Sequence, residues 1–472
     1  MVASLAACRP TQVREPGWSD QGRVHTLLDG VCAMTAGGRI LCSIPADEVA
    51  VRALHEPIRS MQGGVGRSDW PRCAVTESGR VACWGCGENV GQWYRQRSNA
   101  PPRFMPLGHV KQVAVSQAGA CALDDSGVVT CWGEGFESRV LEVTDTEICR
   151  PRPGSFRRLA GLPAAERIAM TADGRACVVT SGGSVYCQGV YYTPQDEWFK
   201  LQAPTVGLPS PIPNSGVRQV VVPRARDIVA GAAHFCALGH DGTVTCWDEN
   251  AYGQSGAPTE PCVEYLSGGC KIPPHRVALD APAIALAAGA DHSCAVLADG
   301  DVACWGRNEH AALGFTSEQV CHPSWRGFCD SVPQRVEGVS DAVQLVASKS
   351  SVQTWALTAS GRVLVWPGVV MSGPDPRPAL GACQQPERAL TSAAASARAQ
   401  QLLGQRVQVR GTVSPGRPLP RLGSLLLQQG TYVPQGQEVV VDGKVMGLLS
   451  GGGAPTQLGL YVYDACAVRP PP

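Results

Sequence analysis

The chain has 472 residues, 44% of them hydrophobic, with 40 Lys+Arg balanced by 40 Asp+Glu. That content supports a large core and excludes a chain disordered throughout, while a net charge of zero supplies no basic field for non-specific nucleic-acid binding. The 54 Gly and 37 Pro favour short strands joined by turns over long helices, so the expected class is all-β.

At the start, Leu5-Ala6-Ala7-Cys8 has the form of a bacterial lipobox, in which cleavage before the cysteine leaves Cys8 carrying lipid. Met1 to Ala7 is too short for a charged region and an apolar core, so this reading expects a start further upstream. Residues 1–17 are read as a truncated signal and tether.

Six cysteine pairs then stand ten residues apart: Cys32 and Cys42, Cys73 and Cys83, Cys121 and Cys131, Cys177 and Cys187, Cys236 and Cys246, Cys294 and Cys304. Zinc sites use closer pairs, because two thiolates on one knuckle must reach one ion. Cys83-Trp84-Gly85-Cys86 is the one such pair, and no second pair or nearby His completes it, so no metal or cofactor is expected. Each ten-residue unit reads as a hairpin. In the sixth, Ala298, Asp299 and Gly300 form a three-residue loop with a left-handed Gly, which sets Val296 against Val302 and Cys294 against Cys304. The equivalent glycines are Gly38, Gly79, Gly127, Gly183, Gly242, Gly300 and Gly361. Directly opposed residues of an antiparallel pair lie within disulfide range. A seventh unit keeps the pattern with Trp355 and Val365 in the two cysteine positions, so the hairpin is primary and the disulfide an addition to it. Units recurring every 40 to 60 residues, most preceded by an apolar strand, predict a seven-bladed β-propeller over residues 18–380.

The units resemble the regulator-of-chromosome-condensation repeat propellers, a superfamily shared with a secreted β-lactamase-inhibitor propeller. The resemblance rests on His234 through Leu238, Asp241 through Trp247, Asn250, Gly253, Gln254 and Gly256. It recurs at His292 through Gly306 with Asn308 and Gly314, and at Trp84-Gly85, Asn89, Gly91 and Gln92. It covers residues 20–380 and permits an inhibitor role. Guanine-nucleotide exchange of the nuclear kind is disfavoured by the cysteines and the export-type start.

So many cysteines point to an oxidising compartment: the bacterial cell envelope or the exterior. Without Cys8 the chain has an even number of cysteines. Beyond the hairpins, the expected pairs are Cys262–Cys270 and Cys321–Cys329 within loops, Cys86–Cys149 between blades, and Cys383–Cys466 across the C-terminal segment; free buried thiols are the alternative.

Pro-rich residues 367–386 break the repeat, and residues 381–472 read as a small β-barrel-like domain of OB type with one short helix over 387–403. Strands are expected at 406–413, 424–428, 438–445 and 458–463, with Asp442-Gly443 a bulge inside a run. With Lys444 its only Lys and few aromatics, nucleic-acid binding by this barrel is not expected.

No metalloprotease, nucleophile-elbow or phosphate-loop phrase occurs, so no catalytic residues are assigned and the protein is read as a non-enzyme. His234 and His292, being periodic, are assigned to structural hydrogen bonds, Asn89, Asn250 and Asn308 to turns, and the hairpin tryptophans to packing. Binding is assigned instead to loop aromatics, with Trp93, Tyr94, Tyr191, Trp198, Phe199, Trp325 and Phe328 as anchors. The expected partner is a protein or glycan of the cell envelope, with membrane contact only through lipid at Cys8. The alternatives are an inhibitor of a cell-wall or β-lactam-processing enzyme, and an enzyme using the central channel.

Overall fold

In the computed structural model, residues 24–366 and 389–467 are described, apart from 29–31, 36–37, 39, 43–44, 64–70, 86–87, 90–94, 97–100, 117–118, 134–148, 150, 152–155, 160, 173, 189–216, 260–269, 309–310, 316, 318, 323–324, 350–351, 399–400, 403–405, 415–420, 423–424, 429–437 and 449–456. Two compact units divide the chain. One runs from Val13 to Trp366 without Glu309–Ala311, and the other comprises Pro367–Pro472 with Met1–Gln12 and Glu309–Ala311.

The first unit is a ring of seven antiparallel sheets among the described residues. Each sheet is a blade whose strands run a, b, c and, in five of them, d from the axis outward. Strands a begin at Val24, Ile58, Val110, Ala165, Ala225, Ala283 and Ala342. Strands b and c form the hairpins, whose register sets each cysteine opposite its partner, from Cys32↔Cys42 to Cys294↔Cys304. The seventh hairpin pairs Trp355 with Val365 in the same places. Each of the six cysteine pairs is bonded with Cα atoms 4.0–4.1 Å apart. The short separation follows from direct opposition across an antiparallel ladder.

The hairpin glycines turn the chain and also join the blades. All seven have φ between 77° and 87°. Beyond the first, each turns its carbonyl to the next strand a: Val110 N donates to Gly79 O, Ala165 N to Gly127 O, Ala225 N to Gly183 O, Ala283 N to Gly242 O and Ala342 N to Gly300 O. Val24 N donates to Gly361 O at 3.1 Å, which closes the ring from blade seven to blade one. Apolar side chains from adjacent blades then mesh. Leu313, Val336, Leu345 and Trp366 pack in one cluster, and Val24, Leu27, Trp355 and Val365 in the cluster at the closing seam.

Blade one departs from the pattern. After its third strand comes a helix, α1 (Pro45–Arg52), which the sequence reading did not anticipate. Asp47 on α1 is fully buried, 3.0 Å from the buried Arg72 guanidinium of blade two, and accepts a hydrogen bond from Trp84 Nε1 at 3.1 Å. The helix thus fixes the first seam by a buried ion pair rather than by a further strand.

The second unit contains a closed barrel of five strands: Arg406–Ser414, Arg421–Leu422, Leu425–Gln428, Glu438–Leu448 and Gln457–Ala467. Their order is one-two-three-five-four with four paired back to one, and strands three and five run parallel. Mixed five-strand closure of this kind is OB-type topology. Asp442-Gly443 is a bulge, where the register against the last strand shifts. The helix α2 is Ser392–Ala397, shorter than expected. Leu390–Thr391 pairs as a strand with Val409 and Arg410, and the Thr391 hydroxyl caps the helix by accepting from Ala394 N. Val409, Leu422, Leu425, Val439, Val440 and Val441 are buried in this unit. Among the described residues, no helix is long and apolar enough to cross a membrane.

Candidate functional site

The polar residues that recur in the repeat converge where strand a turns into strand b, close to the axis. His234 opens strand b of blade five, and its Nε2 lies 2.8 Å from Ser293 Oγ of blade six. Ser293 gives its one hydroxyl proton to Gln254 O at 2.9 Å, so it accepts from His234, which holds its proton on Nε2. His292 repeats the arrangement one blade on, 2.7 Å from Thr354 Oγ1 of blade seven. Gly231 and Gly289 make room for these rings: a Cβ on either would fall 2.2 Å and 2.0 Å from the imidazole Cε1. Burial holds both rings neutral, pushing His234 down to about 3, with help from His292 and Arg175, and His292 down to about 4. A base so poorly protonated and so enclosed is a strut between blades.

Blade four carries Arg175 at the same place. Its guanidinium forms a buried ion pair with Asp248 of blade five and donates to Ala233 O at 2.8 Å. The asparagines organise the chain that leaves strand c. Asn250 Nδ2 donates to Ala257 O while its Oδ1 accepts from Ser255 N, and Asn308 repeats this with Phe315 O and Leu313 N. The first of these turns leans on the next blade, where Trp305 Nε1 donates to Gln254 O at 3.0 Å. Trp84, Trp132, Trp247 and Trp305 are all buried, so the repeat tryptophans pack between blades.

At the same end Lys349 of blade seven occupies the turn position held by Ala172, Ala232 and Ala290 in blades four to six. Its Nζ donates to Val115 O of blade three at 3.3 Å and to Met170 O of blade four. Desolvation pushes its ammonium down to about 8.

The opposite end carries the hairpin tips and a bulge repeated at the second residue of every strand a. The seven bulged residues are His25, Arg59, Lys111, Glu166, Arg226, Ile284 and Val343. Lys111 and Glu166 pair at 3.2 Å, and Arg59 and Glu77 at 3.6 Å, so much of the charge there is matched locally. Just inside, Gln112 and Gln344 each use both ends of the amide on the next blade. Gln112 takes Ile168 N and O, and Gln344 takes Leu27 N and O.

Of the aromatic anchors, Trp93, Tyr94, Tyr191, Trp198 and Phe199 lie outside the described residues, as does Cys8. Trp325 begins the d strand of blade six, with its side chain outside the described set. Phe328 corrects the expectation: it is buried, 3% exposed, and its carbonyl accepts from Asn308 N, so it packs within blade six instead of presenting a ring to a partner. Cys149, Cys270 and Cys329 are disulfide-bonded. The side chains assigned to pair with them, Cys86, Cys262 and Cys321, lie outside the described set, as do Cys383 and Cys466. No group of three metal-ligating side chains occurs among the described residues. Sequence reasoning missed Asp47–Arg72, Arg175–Asp248, Lys349 and the two glutamine clamps. Comparing the units at equivalent positions exposes Lys349, a lysine where the turns of blades four, five and six have alanine.

Seven sheets, six of them braced by a hairpin disulfide and joined at their seams by buried polar contacts, define a β-propeller built as a rigid scaffold. The regulator of chromosome condensation (RCC1) repeat family matches residues 283–311, which is blade six through its c strand. The X-linked retinitis pigmentosa GTPase regulator homolog of Caenorhabditis elegans is 31% identical over 167 residues, 34% of this chain; the match spans only 11% of that relative's length. Among solved structures, Prp20p from Saccharomyces cerevisiae superposes with a TM-score of 0.50 and 18% identity, over 76% of this chain and 85% of that one. Yeast RCC1 (Prp20) bound to Kap60 gives 0.47 and 19%, over 67% and 72%. The chain is a β-propeller in which residues 283–311 match the RCC1 repeat, and its fold is similar to that of Prp20p.

Proposed function

We propose that this protein is a non-catalytic binding scaffold, held outside the cytoplasm by lipid at Cys8, that presents the loops leaving strands c to a protein or glycan of the cell envelope. One observation carries the reading. The repeated polar residues are committed to seams between blades or to the turns that leave strands c, so the ring supplies rigidity and variation is left to the segments between strands c and d. Trp93, Tyr94, Tyr191, Trp198 and Phe199 all fall in those segments, and aromatics on loops held by a rigid frame are the usual anchors of recognition. Prp20p binds Gsp1p and histones; at 18% identity the likeness extends to the fold, and those partners are not carried over. The six hairpin disulfides support an oxidising location.

The test uses intact, oxidised protein on envelope extracts, beside a variant with Trp93, Tyr94, Trp198 and Phe199 changed to Ala. A component retained by the parent and lost by an equally stable variant supports the reading. Equal recovery by both, with turnover of a cell-wall substrate, overturns it. Metabolic labelling with a lipid analogue, lost in Cys8→Ser, tests the anchor.

A further inference from the structure

A ring of blades made from one chain has a weak point where the last blade meets the first. Among the described residues no strand crosses that seam: blade one and blade seven each have three strands, all drawn from their own end of the chain. The seam is held by Val24 N to Gly361 O, by the Gln344 amide on Leu27, and by an apolar cluster. In a seven-membered ring, blade seven faces the junction of blades three and four. Those are the blades whose carbonyls, at Val115 and Met170, receive the Lys349 ammonium.

We propose that Lys349 is a clasp across the propeller axis, tying the last blade to the two blades that face it and occupying the channel where the a–b turns converge. The neighbouring turns are already drawn together: Ala172 N donates to Gly231 O and Ala232 O, and Ala232 N to Gly289 O and Ala290 O. Two main-chain carbonyls accept from the ammonium at fixed positions and do not themselves titrate. The clasp therefore acts through geometry, and a ligand could not thread the channel at this end without displacing it. This inference goes beyond the binding role and does not depend on it.

Hydrogen exchange on the oxidised protein, with Lys349→Met and Lys349→Arg, tests the clasp. The turn amides report separately: Ser348 N in blade seven, Ser116 N in blade three and Thr171 N in blade four, against Gly231 N and Gly289 N as internal controls. Loss of the clasp in Lys349→Met is expected to speed exchange about tenfold or more at the first three together, leaving the controls unchanged, with Lys349→Arg close to the parent. Faster exchange confined to blade seven, or no change at Ser116 and Thr171, overturns it. If Lys349→Met does not fold, amine acylation of the native parent decides. Lys349 protected relative to Lys111 until the protein is denatured supports the clasp, and equal labelling of the two overturns it.

Discussion

Asp248 stands where blades two, three and six have the glycine of a Trp-Gly pair, Gly85, Gly133 and Gly306. It adopts the same left-handed backbone, φ 80° against 79°, 95° and 110°. A non-glycine residue there costs about 1–2 kcal/mol. The carboxylate it supplies neutralises Arg175, itself only 3% exposed, and removing one member of a buried pair costs about 3–5 kcal/mol. The second effect is larger. Asp248→Gly is therefore expected to destabilise the propeller by about 1–4 kcal/mol despite relieving the backbone, and Arg175→Met added to it should recover most of the loss. Denaturant unfolding of the two single variants and the double variant measures the coupling; simple additivity would mean that the pair does not act as a unit.

The buried histidines make a pH-dependent contribution whose sign is fixed by their depressed pKa values. In the unfolded chain they protonate near 6.5, and in the fold only near 4 for His292 and 3 for His234. Between those limits the unfolded state binds more protons. Stability is thus fully present above about 6.5 and falls on acidification, by about 1.4 kcal/mol per pH unit for each ring. Replacing His292 by Gln should flatten the fall between pH 6 and 4, as read from unfolding free energies across that range. An unchanged slope would show that His292 contributes nothing to the acid limit.

At the scale of elements, the hairpin glycine separates two effects that usually travel together. Gly38 and Gly127 share a left-handed φ, but a Cβ at Gly38 meets nothing within 4 Å while one at Gly127 would fall 2.8 Å from Ala165 N of the next blade. Gly38→Ala should cost about 1 kcal/mol for the backbone alone, and Gly127→Ala a further ~1–3 kcal/mol because blade four must move. Equal losses in thermal or denaturant unfolding would remove the seam contact from the account.

The turn half of this role was legible in the sequence, because a three-residue loop with Gly last is a local pattern, and it alone sets Cys294 against Cys304. The seam half was not, since Gly127 O meets Ala165 N only after two blades have formed. The same division explains the other outcomes. His234 and Asn250 were readable as structural from their recurrence, and the bulge at Asp442-Gly443 from alternation on both sides. Helix α1 and Asp47 were not readable, because the decisive contact, Arg72, is in the next blade. Phe328 was misread as a loop aromatic because the segment after Trp305 returns to the sheet as a d strand, which buries the ring.

Across the whole molecule, nearly every seam carries its own polar tie, and two of them are chemically identical. Gln112 joins blade three to blade four through Ile168, and Gln344 joins blade seven to blade one through Leu27, with amide contacts of 2.9–3.0 Å in both. The first spans 56 residues of sequence and the second 317. Blades three and four stay neighbours without their clamp because the chain runs directly from one to the other. Blades seven and one have no such link, so their separation is a collective motion that the clamp itself resists. Each Ala substitution removes the same two hydrogen bonds, about 1–3 kcal/mol together, but the loss should be distributed differently. In Gln112→Ala, native-state hydrogen exchange should rise at Ile168 and its immediate neighbours. In Gln344→Ala it should rise as a block over strands a and b of blades one and seven, since the ring opens there as one unit. A purely local response in both variants would mean that the apolar cluster of Val24, Leu27, Trp355 and Val365 closes the ring without help from the glutamine.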